Sequence, residues 1–305
     1  MDIDTQLNLF SDQARKGENW TFGVEIETTI PCDEADSMDI GDYHNGEPVY
    51  GAPRFNDYRW LAEHDSSIRS STYSRTGVEF VSPVLVGNEG VENVLEFAKW
   101  LQSIGARVNA SCGLHIHIGI DSVLGRGAST AKIVTFLTKV AHLSYRWQDA
   151  LFAQTGTRRD RNHYCERIGD NSRWVLNVQE EQRKPVADKC RHNTHLNALP
   201  RYAPVNLQNM NGKGTIEFRA FAGTLNKYKL MHHLWSVFAI VHNAKRNLNS
   251  TNYRWQQKSP GNGRDSLKWF YHHLGKNYFL PSFKENFRRM RVKAEDLATQ
   301  YDQRG

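Results

Sequence analysis

Phe22-Gly-Val-Glu25-Ile-Glu27, Cys112-Gly-Leu-His115-Ile-His117-Ile-Gly119 and Thr215-Ile-Glu217-Phe-Arg219 share one pattern: two ionisable residues spaced i, i+2 in an apolar run, with Gly, Ser or Thr close by. In a β-strand, residues two apart point to the same face, so each stretch sends its charged pair to one side and its apolar residues to the other. A carboxylate buried without a partner is costly. Acids and imidazoles carried on such strands therefore call for a cation or a charged ligand among them.

Working outward, Trp20 to Thr28 reads as a strand with Phe22, Val24 and Ile26 on one face. In Gly77-Val-Glu79-Phe-Val-Ser82-Pro83, Val78 and Phe80 face opposite to Glu79 and the proline stops the strand, which adds Glu79 to the strand-borne acids. Tyr202 to Leu207 and Thr215 to Ala222 read as two strands joined by Asn209-Met-Asn-Gly-Lys-Gly214, whose glycines and asparagines suit a hairpin turn. Helical spacing predicts helices over Glu92 to Ile104, with Gly105 as a stop, over Thr130 to Phe152, and over Lys229 to Asn247. From Leu267 onward, short helices are expected. Strands alternating with one-sided amphipathic helices imply an α+β fold: a mainly antiparallel sheet, helices packed on one face, and a polar face free to carry ligands. The expected organisation is a flexible N-terminus over 1–18, a catalytic domain over 19–250 and a C-terminal helical extension over 251–305. Pro31 to Pro53 reads as a long loop or short hairpin, and residues 154–195 are polar, Arg-rich and weakly patterned.

The 305 residues suffice for a buried core, and 39% hydrophobic with 24% charged residues describes an ordinary globular protein. The opening Met1-Asp-Ile-Asp-Thr-Gln lacks a basic and apolar leader, and no apolar run approaches the ~20 residues of a membrane span. Cys32, Cys112, Cys165 and Cys190 show no CxxC spacing, which argues against a zinc ribbon or disulfide scaffold. A cytoplasmic location without membrane partners is the expectation. The net charge of +6 is modest for this length. Basic residues gather at Arg158-Arg159-Asp-Arg161, near Arg183 to Arg191 and at Arg288-Arg289-Met-Arg291, none reads as a nucleic-acid arm, and most are expected to form a solvated face.

A hard divalent cation such as Mg2+ takes oxygen ligands and is commonly held by a few carboxylates together with substrate phosphates. Glu25, Glu27, Glu79 and Glu217 suit that task, and the neighbouring imidazoles tolerate Mn2+ as well. Arg219, two residues from Glu217 on the same face, could then neutralise charge during phosphoryl transfer. His192-Asn-Thr-His195, His232-His233 and His272-His273 lack a matching carboxylate strand and read as structural or solvent-facing. Two other classes fit the same residues: a phosphotransferase, and a non-catalytic metal- or nucleic-acid-binding protein.

These motifs in this order, with Asp65-Ser-Ser, Arg201-Tyr-Ala-Pro-Val-Asn206-Leu and Gly223-Thr-Leu, resemble the amidoligase family of the glutamine synthetase and glutamate-cysteine ligase superfamily over roughly residues 20 to 245. The resemblance implies a glutamine synthetase-like fold with the metal and ATP site on the polar sheet face. It also implies an ATP-dependent carboxylate-amine ligase that forms an amide through an acyl phosphate. By similarity, Glu25 and Glu27 would be divided between two metals, Mg2+ or Mn2+, with Glu79 joining one and His115 and Glu217 holding the metal that bridges the ATP phosphates. His117 would lie near phosphate, Arg219 would stabilise the transferring phosphoryl group, and Arg201 would be a second phosphate contact. Asp65 would receive the amine, or else cap a turn. The carboxylate and amine substrates, whether amino acid, peptide, cell-wall fragment, polyamine or protein tail, are left open, as is the oligomeric state. Segments 31–64 and 154–195 would form lids and choose the substrate.

Overall fold

The computed structural model describes residues 19–70, 72–168, 201–211, 213–249, 262–274 and 280–304. The N-terminal segment 1–18, most of segment 154–195, Cys190, His192, His195 and most of the polar linker before Gly263 lie outside the described residues.

The central strand β1 (Thr21–Pro31) runs three residues beyond the expected Thr28. One edge of β1 pairs with β4 (Arg75–Val81) and then with β5 (Leu85–Val86). Between those two strands Pro83 interrupts the ladder, and Ser82 bridges the gap: its backbone N donates to Val24 O and its Oγ accepts from Val24 N, at 2.9 and 2.8 Å. The other edge of β1 pairs with β6 (Gly113–Gly119), and β6 in turn with β10 (Thr215–Ala222). With β2 (Glu47–Pro48), β3 (Leu61–Glu63) and β9 (Val205–Asn206), the sheet order is β2-β3-β4-β1-β6-β10-β9, and every pairing is antiparallel. The strand expected over Tyr202 to Leu207 is reduced to Val205–Asn206, and a 3-10 turn over Gln208–Asn211 takes part of the connection to β10. A separate short hairpin joins β7 (Arg161–Asn162) and β8 (Cys165–Glu166).

One face of the sheet is apolar and buried, carrying Phe22, Val24, Ile26, Val78, Phe80, Leu114, Ile116, Ile118, Ile216 and Phe218. Helices cover it. After the short α1 (Cys32–Asp36), α2 (Gly87–Ser103) begins five residues before the expected Glu92 and buries Val91, Val94, Phe97, Ala98 and Leu101. It ends where Gly105 takes φ +72°, a conformation that costs glycine little. Beyond the short α3 (Ile120–Leu124), α4 (Thr130–Ala153) is capped by Ser129 Oγ, which accepts from Lys132 N. Asn226 Oδ1 caps α5 (Lys227–Arg246) by accepting from Tyr228 N and Lys229 N. Phe238 of α5 stacks on Trp20 and meets Phe22 edge-on, at 5.5 and 5.6 Å between ring centroids.

The C-terminal segment contains α6 (Gly263–Leu274) and α7 (Pro281–Gln303). Short helices were expected here, but α7 is 23 residues long. Pro281 occupies its first turn, where the missing N–H is harmless, and Phe283, Phe287, Met290, Ala294, Leu297 and Tyr301 continue one buried stripe without a break. Both helices pack on α4 and α5 and belong to the same apolar core as the sheet. No helix among the described residues is long and apolar enough to cross a membrane.

His232 and His233 are buried and structural, as expected, while His272 and His273 are exposed. Gln154 Oε1 lies 2.7 Å from His232 Nδ1 and 2.9 Å from His233 Nδ1, and Tyr271 Oη lies 2.7 Å from His232 Nε2. Burial pushes the His232 pKa from 6.5 down to about 3. The unfolded chain therefore takes up a proton that the folded chain refuses, and the neutral-pH stability is lost as pH falls from 6.5 towards 3. At pH 5 this single histidine is expected to cost about 2 kcal/mol relative to neutral pH. Urea unfolding of wild type and His232→Asn across pH 5 to 7.5 should show a shallower acid arm in the variant, and identical arms would refute the assignment.

Candidate active site

The ionisable residues of the opposite sheet face come together through strand register. Glu25 sits across from His115, Glu217 across from His117, Glu27 across from Glu79, and Glu79 in turn across from Glu63. Glu63, Glu79 and Glu27 thus form a row of carboxylates on three adjacent strands, each under 5% exposed. Like charges directly opposite one another destabilise a sheet. Burial, followed by the charges of Glu25, Glu27, Asp65 and Glu63, drives the Glu79 carboxyl well above the usual carboxylate range. The row is short of positive charge.

Histidines occupy the other side of β1. His115 Nδ1 lies 3.0 Å from Glu25 Oε2, 3.6 Å from Glu217 Oε1 and 3.9 Å from Glu79 Oε1, while its Nε2 lies 3.4 Å from Glu27 Oε1. His117 Nε2 lies 3.1 Å from Glu25 Oε1. Burial would raise the Glu25 pKa, but His117 and His115 hold it well below the usual range. For His117, burial acts downward and is outweighed by the carboxylates of Glu25 and Glu217, so its pKa is raised. Glu217 is likewise opposed by burial yet held low by Arg219, His115 and His117. Asn206 and Asn209 donate their side-chain amides to Glu217 Oε2 at 2.8 and 2.9 Å, and Arg219 forms an ion pair with Glu217 Oε1. The ladder between β6 and β10 changes register between Phe218 and Phe221, an irregularity that falls at Arg219.

The residues fit a divalent cation. Glu25, Glu79 and His115 offer donor atoms all within 4.8 Å of one another, as do Glu25, His117 and Glu217, and Glu27, Asp65 and Glu79. The Nε2 atoms of His115 and His117 are buried without a hydrogen-bond partner among the described residues, although carboxylate oxygens lie within 3.4 Å. Imidazole nitrogens and carboxylate oxygens gathered in this way are the donor set of a mixed imidazole-carboxylate metal centre. Glu25 and Glu79 each belong to two of the groups, so these two carboxylates would link the site from end to end.

Asp65 caps a turn, its Oδ1 accepting from Ser67 N at 2.6 Å, and its carboxylate also joins Glu27 and Glu79. Beside this edge lies a cavity of about 490 Å³ lined by Glu27, Tyr43, His64, Asp65, Ser66, Ser67, Ser111, Arg159, Tyr164, Arg201, Tyr202 and Arg219. Arg201 is exposed at its margin and donates to Tyr43 Oη at 3.0 Å.

Three features were not foreseen from sequence. Glu63 completes the carboxylate row, and its position two residues before Asp65 in Leu61-Ala-Glu63-His-Asp65 was the available signal. Asn206 and Asn209 brace Glu217, which required knowing that the chain turns back beside β10. Arg159 corrects the reading of its basic cluster as a solvated face: it is 4% exposed and reaches the sheet. A side chain on Gly113 would stand 2.5 Å from Arg159 Nη2, 3.0 Å from His115 Nε2 and 3.2 Å from Glu27 Oε1. Gly113 therefore leaves the space the guanidinium occupies, and its N donates to Glu27 Oε2 at 2.5 Å. Gly113→Ala is expected to preserve the fold at a cost of about 1–3 kcal/mol while displacing Arg159. Thermal denaturation and a crystal structure of the variant would check both halves.

The family model described as "Putative amidoligase enzyme" matches residues 18–238. The chain belongs to the amidoligase family. The matched region spans β1 through most of α5, and so contains every residue of the three candidate ligand groups. No curated protein matches the chain. Among solved structures, it is similar to a bifunctional glutathione synthetase from Pasteurella multocida at 13% identity and a TM-score of 0.41. That alignment covers 99% of this chain and 53% of the other, so the chain spans about half the length of that protein.

Proposed function

We propose that this amidoligase-family chain is an ATP-dependent carboxylate-amine ligase that uses Mg2+ or Mn2+ on a glutamine synthetase-like catalytic fold. The observation that carries the reading is the convergence of the buried imidazoles of His115 and His117 on the carboxylates of Glu25, Glu27 and Glu217. Glu25, Glu27, Glu79, His115 and Glu217 would hold a divalent cation, which would neutralise phosphate charge.

The chemistry follows from the poor electrophilicity of a carboxylate at neutral pH. A carboxylate oxygen of the acid substrate attacks the γ-phosphorus of ATP, the bond to the β,γ-bridging oxygen breaks, and ADP leaves with that electron pair. The amine then adds to the acyl carbon of the acyl phosphate, and inorganic phosphate departs with the electrons of its C–O bond. Arg219 offers a guanidinium to the phosphoryl oxygens during transfer, oriented by its ion pair with Glu217. His117 and Arg201 contact phosphate, and Asp65 receives the positive charge or the proton of the incoming amine. A closed site protects the acyl phosphate from water, and segments 31–64 and 154–195 are assigned to that closure and to the choice of acid and amine.

The test is Mg2+-dependent ADP release screened against panels of amino acids, peptides and polyamines, with the amide product identified by mass spectrometry. Amide and ADP in equal amounts are expected. ADP with a stable phosphorylated product and no amide would instead make the protein a phosphotransferase.

A further inference from the structure

Arg159 lies outside the three ligand groups, yet it is built into the same site. Its guanidinium lines the cavity, and its Nε and Nη1 have no hydrogen-bond partner among the described residues. Its Nη2 is close to the point above Gly113 that Glu27 and His115 also approach. The other two arginines of the cavity are engaged, Arg219 with Glu217 and Arg201 with the Tyr43 hydroxyl. A buried guanidinium without a counter-ion is unfavourable. Glu27 and Asp65 are the nearby acids of the cavity, and in the reading above Glu27 is committed to the cation and Asp65 to the incoming amine. The charge that Arg159 lacks must then arrive with a ligand.

We propose that Arg159 binds the carboxylate of the acid substrate and holds it beside the phosphoryl-transfer site. The inference rests on the ligase reading. Transfer brings two anions together, the attacking carboxylate and the γ-phosphate, and each needs its own cation. Arg219, at the Glu217 end, is placed for the phosphoryl group, whereas Arg159 lies at the Glu27 end of a cavity that Ser66, Ser67 and Ser111 also line. A planar guanidinium matches a carboxylate in shape and charge, and it stays protonated throughout. In the transfer step the held oxygen forms its bond to phosphorus as the bridging oxygen leaves on ADP, and Arg159 gives up no proton.

Thermal unfolding of the full chain in Mg2+ tests this, using wild type, Arg159→Met and Arg159→Lys. The probes are acetate, malonate, succinate and glutarate against chloride at equal ionic strength, and separately the magnesium complex of a non-hydrolysable ATP analogue with an imido bridge. The carboxylates are expected to raise the wild-type Tm. Arg159→Met should match or exceed wild type without ligand, because an unpaired buried charge has been removed. It should keep the nucleotide-induced rise and bind the carboxylates about 10- to 100-fold more weakly. Arg159→Lys should fall between the two. A wild type indifferent to all four carboxylates, or a carboxylate effect that persists in Arg159→Met, overturns the proposal while leaving the ligase reading standing. Loss of the nucleotide effect in Arg159→Met would assign the residue to phosphate, and a Met variant much less stable than wild type would make it structural; either outcome overturns the proposal. A wild type unmoved by the nucleotide overturns the ligase reading, and this inference with it.

Discussion

Glu25→Gln is expected to reduce Mg2+-dependent ADP release by roughly 10²- to 10³-fold, the scale on which a single preorganised group contributes to transition-state stabilisation. Glu25 is the carboxylate shared by the group containing Glu79 and His115 and the group containing His117 and Glu217. Loss of its charge therefore weakens two of the three groups. Mn2+ affinity, measured by titration calorimetry on the intact chain, should fall by more than the ~10- to 100-fold typical of losing an outer-shell partner. Glu63→Gln is the matched comparison, since Glu63 ends the carboxylate row without joining any of the three groups. Its effect on Mn2+ affinity should be much the smaller. Equal Mn2+ affinity in Glu25→Gln and wild type would remove the basis for the cation centre.

The second large effect is expected at Arg219. Arg219→Met should slow turnover by about 10³- to 10⁵-fold, the contribution of an arginine aimed at a transferring phosphoryl group. It should also destabilise the metal-free protein by about 3–5 kcal/mol, because Glu217 is left buried with its main cationic partner gone. These two losses can be separated by adding Mn2+. A cation bound at Glu217 supplies the missing positive charge, so saturating metal should recover part of the stability while turnover stays low. Arg219→Lys should recover stability better than turnover, since a lysine keeps the charge and loses the fork. Urea unfolding with and without Mn2+ reads the first effect and ADP release the second. A stability loss that metal does not touch would mean that Arg219 and the cation do not share Glu217.

How much of this could be read from the chain depended on how local the signal was. The pairs Glu25/Glu27, His115/His117 and Glu217/Arg219 announce themselves because strand geometry has a period of two, and a charged pair in an apolar run has only one way to face. Glu79 was legible for the same reason. The helical stripes of α2, α4 and α5 were equally plain, and their ends shifted by a few residues because caps and tertiary packing set them. Glu63 was hidden by the shortness of β3, whose three residues carry too little alternation to be recognised. Arg159 was hidden more deeply. Nothing in Arg158-Arg159-Asp-Arg161 separates an exposed arginine from one that crosses to the sheet, and only the missing side chain of Gly113, some 46 positions earlier, makes room for it.

The amino-acid sequence by itself determined which residues face together, and hence that this protein carries a polar, acid-rich sheet face backed by apolar strands and amphipathic helices. Alternation and helical spacing are local properties, and they survive without knowledge of strand order. Tertiary structure decided which of those residues meet: that β1 lies between β4 and β6, so that Glu25 serves two groups, and that the loop after α4 returns a guanidinium to the site. Those facts depend on cross-strand register and on space left by a distant glycine, and a linear pattern holds no record of either.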